Sequence, residues 1–118
     1  GGTQRMARII GTGPAMELIY TADTIDANRA LEIGMVNHVV PADQLMDEAM
    51  KLAEKICKNA QKAIRASKLA IRRGMDCDIS TAVSYEALAF ATCFGTEDQK
   101  EGMQAFLEKR KEKHFKNA

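Results

Sequence analysis

One stretch near the carboxyl terminus is almost free of charge. Between Ser80 and Gly95 the only charged residue is Glu86. At 3.6 residues per turn, one side of the predicted helix carries Val83, Ala87, Phe90, Ala91 and Phe94, and the other carries Tyr85, Leu88 and Ala89. A helix that is apolar nearly all round must be covered nearly all round. Because 118 residues offer few elements for that task, the pattern predicts cover from another subunit or from a part of the protein missing from this chain.

Two amphipathic helices are predicted before this stretch, over residues 43–58 and 60–73, with Gly74 ending the second. The second carries five positive charges and no acid, at Lys62, Arg65, Lys68, Arg72 and Arg73. Leu69 projects from the middle of this basic face. Two interpretations remain open: a solvated face with one incidental leucine, or a helix that faces an anion or a partner.

The amino-terminal third predicts shorter elements. Short helices are expected over residues 3–10, 14–21 and 27–33. Thr3 and Asp26 are the predicted N-caps of the first and third, and Gly34 ends the third. Residues 35–40 (Met-Val-Asn-His-Val-Val) are β-branched and closed by Pro41, which predicts a strand. A single strand must pair with something outside these residues or remain a poorly ordered edge. The fold class is therefore mainly α, with about six helices and one short strand.

The last predicted helix opens with a capping box at residues 96–99, after an apolar helix capped by Asp78 or Ser80. It ends in a basic tail, residues 109–116, with five positive charges and one negative. Such a tail is commonly a solvated end. With Phe106 one turn before Lys109, it is also suited to hold a purine and a phosphate.

Composition excludes several classes of function. The net charge is +1, so no global charge favours nucleic acid or a membrane, and no apolar run is long enough to span a bilayer. Three cysteines without CxxC spacing favour reduced thiols in a cytosolic compartment. His38 and His114 lack the spacing of metal ligands, and no nucleophile and base assemble. The residue chemistry alone predicts a mostly helical domain with two basic features and an apolar surface that requires a partner, and it shows no catalytic or metal-binding set.

Three motifs in order carry a resemblance to a known family: GGTQR, MELIYTADTIDANRALEIGMVNHVVP and FGTEDQKEGMQAFLEKRK. Together they resemble the C-terminal half of the crotonase (enoyl-CoA hydratase) family over nearly the whole chain. Ala22 stands where that family usually has glycine. The ending looks most like the family's short-chain enoyl-CoA hydratases and 3-hydroxybutyryl-CoA dehydratases.

The resemblance implies where the parts of such an enzyme lie. An upstream spiral of ββα turns would supply two backbone N–H donors and two catalytic glutamates, all before Gly1, so that this chain is a piece of a longer protein and is inactive alone. Gly1 and Gly2 would border the acyl pocket. Phe106 and Lys109 would meet the adenine and phosphate of coenzyme A. Acyl-CoA is the implied substrate, with no cofactor and no metal.

The resemblance also implies an organisation and a location. Residues 1–42 would end the crotonase core, and residues 43–118 would form the helical region for oligomerisation and CoA binding. Residues 43–113 would build a homo-trimer, or a dimer of trimers, in the cytoplasm, or in the mitochondrial matrix of a eukaryote. The alternatives are another acyl-CoA enzyme of the family (isomerase or hydrolase), a non-catalytic helical self-association module, and an anion-binding module on the basic helix.

Overall fold

A computed structural model describes residues 2–117 and contains seven α-helices there. They are α1 (Ala7–Ile10), α2 (Thr12–Thr21), α3 (Ala27–Glu32), α4 (Leu45–Cys57), α5 (Gln61–Gly74), α6 (Ile79–Cys93) and α7 (Glu97–Leu107). A π-helical segment, Gly2–Met6, leads into α1, and a 3-10 turn, Ala42–Gln44, leads into α4. The prediction of a mainly α chain is confirmed. The chain divides into two compact units, Gly1–Glu48 and Ala49–Ala118, and each is described by itself.

The first unit begins differently from the prediction. Thr3 lies inside the π-helical segment and is not an N-cap, since helical backbone already starts at Gly2. Helix α2 starts at Thr12, two residues before the expected Pro14, and follows Gly11. Gly11 has φ 85° and ψ 163°, a backbone region that side chains with a Cβ avoid, so glycine is needed there. Pro14 fits the first turn because the N–H it lacks would have no partner within the helix.

Helix α3 has the ends that were predicted for it. The Asp26 side chain accepts a hydrogen bond from the Arg29 N–H at 2.7 Å, as an N-cap does. At the other end Gly34 has φ 75°, and the Met35 N–H donates to the Ala30 carbonyl oxygen at 2.8 Å. This is a Schellman ending, in which a left-handed residue lets the chain turn back on the last helical carbonyls.

The predicted strand at residues 35–40 is wrong for this structure, since residues 2–117 contain no strand. The segment has the side chains of a strand, but no described segment pairs with its backbone, and a ladder requires a partner. Val36 and Val39 are 39% and 37% exposed. His38 lies beside Glu48, with Nδ1 at 3.1 Å from Oε1.

The second unit is built around the packing of α5 against α6. Asp78 caps α6: its carboxylate accepts the Thr81 N–H at 3.0 Å and the Thr81 hydroxyl at 2.6 Å, and these bonds lower the pKa of Asp78. Gly74 is the last residue of α5 and allows the two helices to approach closely. A Cβ added there would lie 3.3 Å from the Cβ of Ala82.

The described residues bury few apolar side chains. The buried ones are Ile10, Ala15, Ala30 and Ala105, and helices α4, α5 and α6 contain none. On α6, Ile79 is 79% exposed, Leu88 67% and Phe90 65%. The single chain therefore leaves open the apolar faces that its sequence predicts should be covered.

Candidate functional site

The carboxyl end of α7 brings two predicted site residues together. Phe106 lies in the last turn and is 76% exposed, and the exposed Lys109 follows two residues after the helix ends. The Lys109 N–H donates to the Phe106 carbonyl oxygen at 3.1 Å, and the next N–H, of Arg110, donates to the Ala105 carbonyl oxygen at 2.9 Å. This pair of bonds is a Schellman motif. The two side chains thus leave the same turn of backbone.

Lys109 has the left-handed backbone conformation of that motif, with φ 54°. Glycine is the usual residue at this position because a Cβ crowds the following carbonyl oxygen, at a cost of about 1–2 kcal/mol. The lysine is therefore held in a conformation that it does not favour. Strained residues of this kind cluster at binding sites, where the surrounding structure keeps them in place.

A forked ion pair lies directly after Lys109. The Arg110 guanidinium donates to both carboxylate oxygens of Glu101, from Nη1 at 2.9 Å and from Nη2 at 3.1 Å, and its Nε donates to Glu108. Glu101 also accepts the backbone N–H of His114 at 2.9 Å. These bonds, that from Arg110 above all, lower the pKa of Glu101 from 4.5 to about 2, and Glu101 raises the pKa of Arg110.

The basic tail is tied back to α7 by a second carboxylate. Asp98, only 2% exposed, accepts the backbone N–H groups of Lys116 at 2.6 Å and of Asn117 at 2.9 Å. The Asn117 side chain in turn accepts the N–H of Gln61 at 3.0 Å and caps α5, whose own N-cap residue, Ala60, has no side-chain acceptor. Part of the tail backbone is therefore anchored, while most of the tail side chains stay exposed, as a solvated end predicts.

Sequence reasoning missed these anchoring residues. The sequence pattern placed Asp98 only within the capping box at residues 96–99, and it gave no separate role to Glu101, Arg110 or Asn117. The available signal was the match between two acids one turn apart on α7 and the cationic stretch that follows. Charge pattern predicts that such segments attract each other, but it does not predict that main-chain N–H groups are the partners.

The remaining predicted site residues lie apart from this turn. Gly1 lies outside the described residues, and Gly2 begins the π-helical segment of the first unit. A Cβ at Gly2 would meet only the Met6 side chain, at an ordinary 3.8 Å. No contact in residues 2–117 therefore explains a glycine at position 2, and its role at an acyl pocket stays a prediction.

The basic face of α5 lies open. Four of its five cationic side chains line a groove with Leu69, which is 48% exposed, and with Asp76. The four are Arg65, Lys68, Arg72 and Arg73. Within the described residues no three histidine, cysteine or carboxylate side chains group as metal ligands, and no helix is long and apolar enough to cross a bilayer. His38 and His114 each lie near a single glutamate, Glu48 and Glu101.

Comparison with known proteins decides the family. A sequence model described as Enoyl-CoA hydratase/isomerase matches residues 1–117. This chain belongs to the enoyl-CoA hydratase/isomerase family. The resemblance inferred from the three motifs is confirmed.

Similar proteins agree with this assignment. The chain is 55% identical over 117 residues to a short-chain-enoyl-CoA hydratase of Clostridium acetobutylicum, covering 99% of this chain and 45% of the relative. It is 54% identical over 111 residues to a crotonyl-CoA hydratase of Syntrophomonas wolfei, covering 94% of this chain and 43% of that relative. The crystal structure of an enoyl-CoA hydratase from Bacillus anthracis superposes with a TM-score of 0.92 at 44% identity, covering 100% of this chain and 45% of that one. The chain thus spans under half the length of these relatives.

Proposed function

We propose that the chain is the C-terminal part of an enoyl-CoA hydratase that adds water reversibly to a 2-enoyl-CoA thioester, with short acyl chains favoured. The observation that carries the proposal is the 55% identity over 117 residues to a short-chain-enoyl-CoA hydratase. The two catalytic glutamates and the backbone donors for the thioester oxygen would lie in the half of the relatives that this chain does not match. In such a reaction paired backbone donors stabilise the developing charge, and the carboxylates move the protons of water and of the α-carbon.

The activity is tested with the full-length protein and with the isolated 118 residues. We expect the full-length protein to hydrate crotonyl-CoA, followed by loss of the enoyl thioester absorbance, and we expect the isolated residues to be inactive. Hydration by the isolated residues would contradict the placement of the glutamates. Double-bond migration or thioester cleavage by the full-length protein, without hydration, would favour the isomerase or hydrolase alternative.

Within that function, Phe106 and Lys109 are proposed to contact the adenine and a phosphate of coenzyme A. The exposed ring of Phe106 offers a face for a base, and the turn after α7 places a cation beside it. Stacking of one base on an aromatic side chain contributes about 1–3 kcal/mol, or roughly 5- to 150-fold in affinity. Gly1 and Gly2 are proposed to border the acyl pocket.

The coenzyme contact is tested by comparing two substrates. We expect Phe106→Ala and Lys109→Ala to raise the KM for crotonyl-CoA and to leave that for crotonyl-pantetheine, which lacks the nucleotide, unchanged. Lys111→Ala is the matched control, an exposed tail lysine two residues further on. Equal effects on both substrates, or an equal effect of the control, would remove the assignment.

We further propose that residues 43–113 form a homo-oligomer, with α6 at its interface. Ile79, Leu88 and Phe90 are more than 60% exposed in the single chain, and apolar exposure on this scale marks an association surface. Analytical ultracentrifugation of the full-length protein should show a trimer or hexamer, and Leu88→Lys should dissociate it. A folded, strictly monomeric protein would contradict this proposal. If the isolated chain self-associates but the full-length protein has no acyl-CoA activity, the non-catalytic module is favoured instead.

The proposed site of action is the cytoplasm, or the mitochondrial matrix in a eukaryote. Three free cysteines, of which Cys57 and Cys77 are exposed, fit a reducing compartment. Cell fractionation tests this, and recovery of the protein with secreted material would contradict it.

A further inference from the structure

The left-handed backbone conformation of Lys109 requires stabilising contacts from the surrounding structure. A lysine at φ 54° is less stable than a glycine would be, so without restraint the turn after α7 would sample other conformations. Its two flanking backbone bonds, to the carbonyl oxygens of Phe106 and Ala105, are the only restraints within the Schellman motif itself. The bond to Phe106, which is 76% exposed, contributes little by itself, since water competes for the same groups.

The stronger restraint comes from Glu101. Its carboxylate receives two parallel N–H bonds from Arg110, at 2.9 and 3.1 Å, and this forked geometry fixes the orientation of the guanidinium as well as its position. Arg110 is the residue directly after Lys109. The fork therefore holds the chain on the far side of the strained lysine.

Glu101 itself is well anchored. It lies in the middle of α7, and its Oε1 also accepts the His114 N–H at 2.9 Å. Arg110 is additionally bound to the Glu108 side chain and to the Glu112 carbonyl oxygen, at 3.1 Å for the latter. On the helix side, the Arg110 N–H bonds to the carbonyl oxygen of Ala105, which is 0% exposed. The turn that carries Lys109 is thus held between a buried helical residue and the Glu101 fork.

We infer that Glu101, acting through Arg110, is a positioning residue that keeps Lys109 in the left-handed turn where it meets a phosphate of the coenzyme. This inference rests on the proposed function, because it takes the coenzyme contact of Lys109 as given. Glu101 does not touch the substrate. An acid on this helix thereby increases the affinity for an anionic ligand, which its own charge would repel.

The test uses Glu101→Gln in the full-length protein, assayed with crotonyl-CoA and crotonyl-pantetheine. Glutamine keeps the shape of the side chain but loses the charge and one acceptor oxygen of the fork. We expect the KM for crotonyl-CoA to rise about 3- to 10-fold, at nearly unchanged kcat, with no change for the pantetheine thioester. Glu97→Gln is the matched control: it removes another carboxylate of α7, one paired with Lys100 and remote from the turn.

A double-mutant cycle separates positioning from general stability. In a Lys109→Ala background, Glu101→Gln should cause no further rise in KM, because the ammonium group it positions is gone. A purely structural role would instead affect both thioesters and would persist in that background. Either of those results, or an unchanged KM in a folded Glu101→Gln protein, would overturn the inference.

Failure of the proposed coenzyme contact and failure of the positioning role give different patterns of KM among the variants. If Lys109→Ala leaves the KM for crotonyl-CoA unchanged, the coenzyme assignment fails, and the positioning role fails with it. If Lys109→Ala raises the KM and Glu101→Gln does not, only the positioning role fails. Should Glu101→Gln not fold, as judged by circular dichroism, Arg110→Lys takes its place, since lysine keeps the charge and lacks the fork. The same selective rise in KM is expected for it, and its absence would overturn the inference.

Discussion

Ala22 offers a substitution that should stabilise the protein by removing a side chain. It follows α2 with φ 57° and ψ 23°, a left-handed conformation, and its N–H donates to the Leu18 carbonyl oxygen at 3.1 Å. The side chain is exposed, so replacing it by hydrogen loses little packing.

The magnitude follows from two opposing effects. A left-handed backbone costs a residue with a Cβ about 1–2 kcal/mol, which glycine avoids. Glycine also makes the unfolded chain more flexible, which costs about 0.4–1 kcal/mol. Ala22→Gly should therefore raise the free energy of unfolding by about 0.5–1 kcal/mol.

Two control substitutions should shift stability in the opposite direction. Ala49→Gly, at an exposed position inside α4, should destabilise by about 0.8–1 kcal/mol, because there the backbone is right-handed and only the entropy cost remains. Gly34→Ala, at φ 75°, should destabilise by a similar amount because it introduces the strain that Ala22→Gly removes.

Urea unfolding at fixed protein concentration measures all three variants. With a slope of about 1–3 kcal/mol per molar urea, Ala22→Gly should move the midpoint upward by roughly 0.2–1 M, and the controls should move it downward by a comparable amount. The slope should be unchanged. A lower midpoint for Ala22→Gly, parallel to that of Ala49→Gly, would refute the left-handed assignment of this turn.

Three further outcomes follow from the carboxyl end of the chain. Lys109→Gly should raise the urea midpoint, because glycine relieves the left-handed strain, while weakening coenzyme binding. Lys109→Ala should weaken binding without a gain in stability, and equal midpoints for the two variants would argue against strain at this residue. Asp98→Ala should release the tail, at a cost of about 2–3 kcal/mol, and make it an early target in limited trypsin digestion followed by mass spectrometry; an uncut tail would contradict its anchoring role. The pKa of Glu101 is lowered to about 2, so its bonds stabilise the folded state above the ordinary pKa of 4.5, and this contribution is lost as pH falls from about 5 towards 2. The urea midpoint of Glu101→Gln should therefore depend less on pH over that range than the midpoint of the unmutated protein. Equal pH dependence of the two midpoints would contradict this.

Local interactions made much of the fold predictable. The ends of α3, α6 and α7 depend on residues within four positions of each other: Asp26, Asp78 and Thr96 each accept an N–H three residues further on. Such contacts depend only on the spacing of residues along the chain, so the caps and helix faces can be predicted from the sequence. The family followed from the order of three motifs, which also depends on sequence alone.

Other features needed the tertiary structure because their partners are distant along the chain. A strand at residues 35–40 was predicted from its side chains, yet a strand exists only when another segment pairs with its backbone, and residues 2–117 supply none. Asp98 meets the N–H groups of Lys116 and Asn117 only after the tail turns back on α7.

The apolar helix at residues 80–95 shows what the sequence determines and what only the tertiary structure decides. Its sequence alone determined that it is helical and that it requires cover, since burial of apolar surface is favourable whatever the partner. The structure shows that α5 packs against it and that Leu88 and Phe90 stay exposed, a result that depends on which surfaces meet in three dimensions. The conformation of Lys109 is likewise a tertiary result, because a left-handed lysine is locally unfavourable and persists where the Glu101–Arg110 pair and the end of α7 hold it.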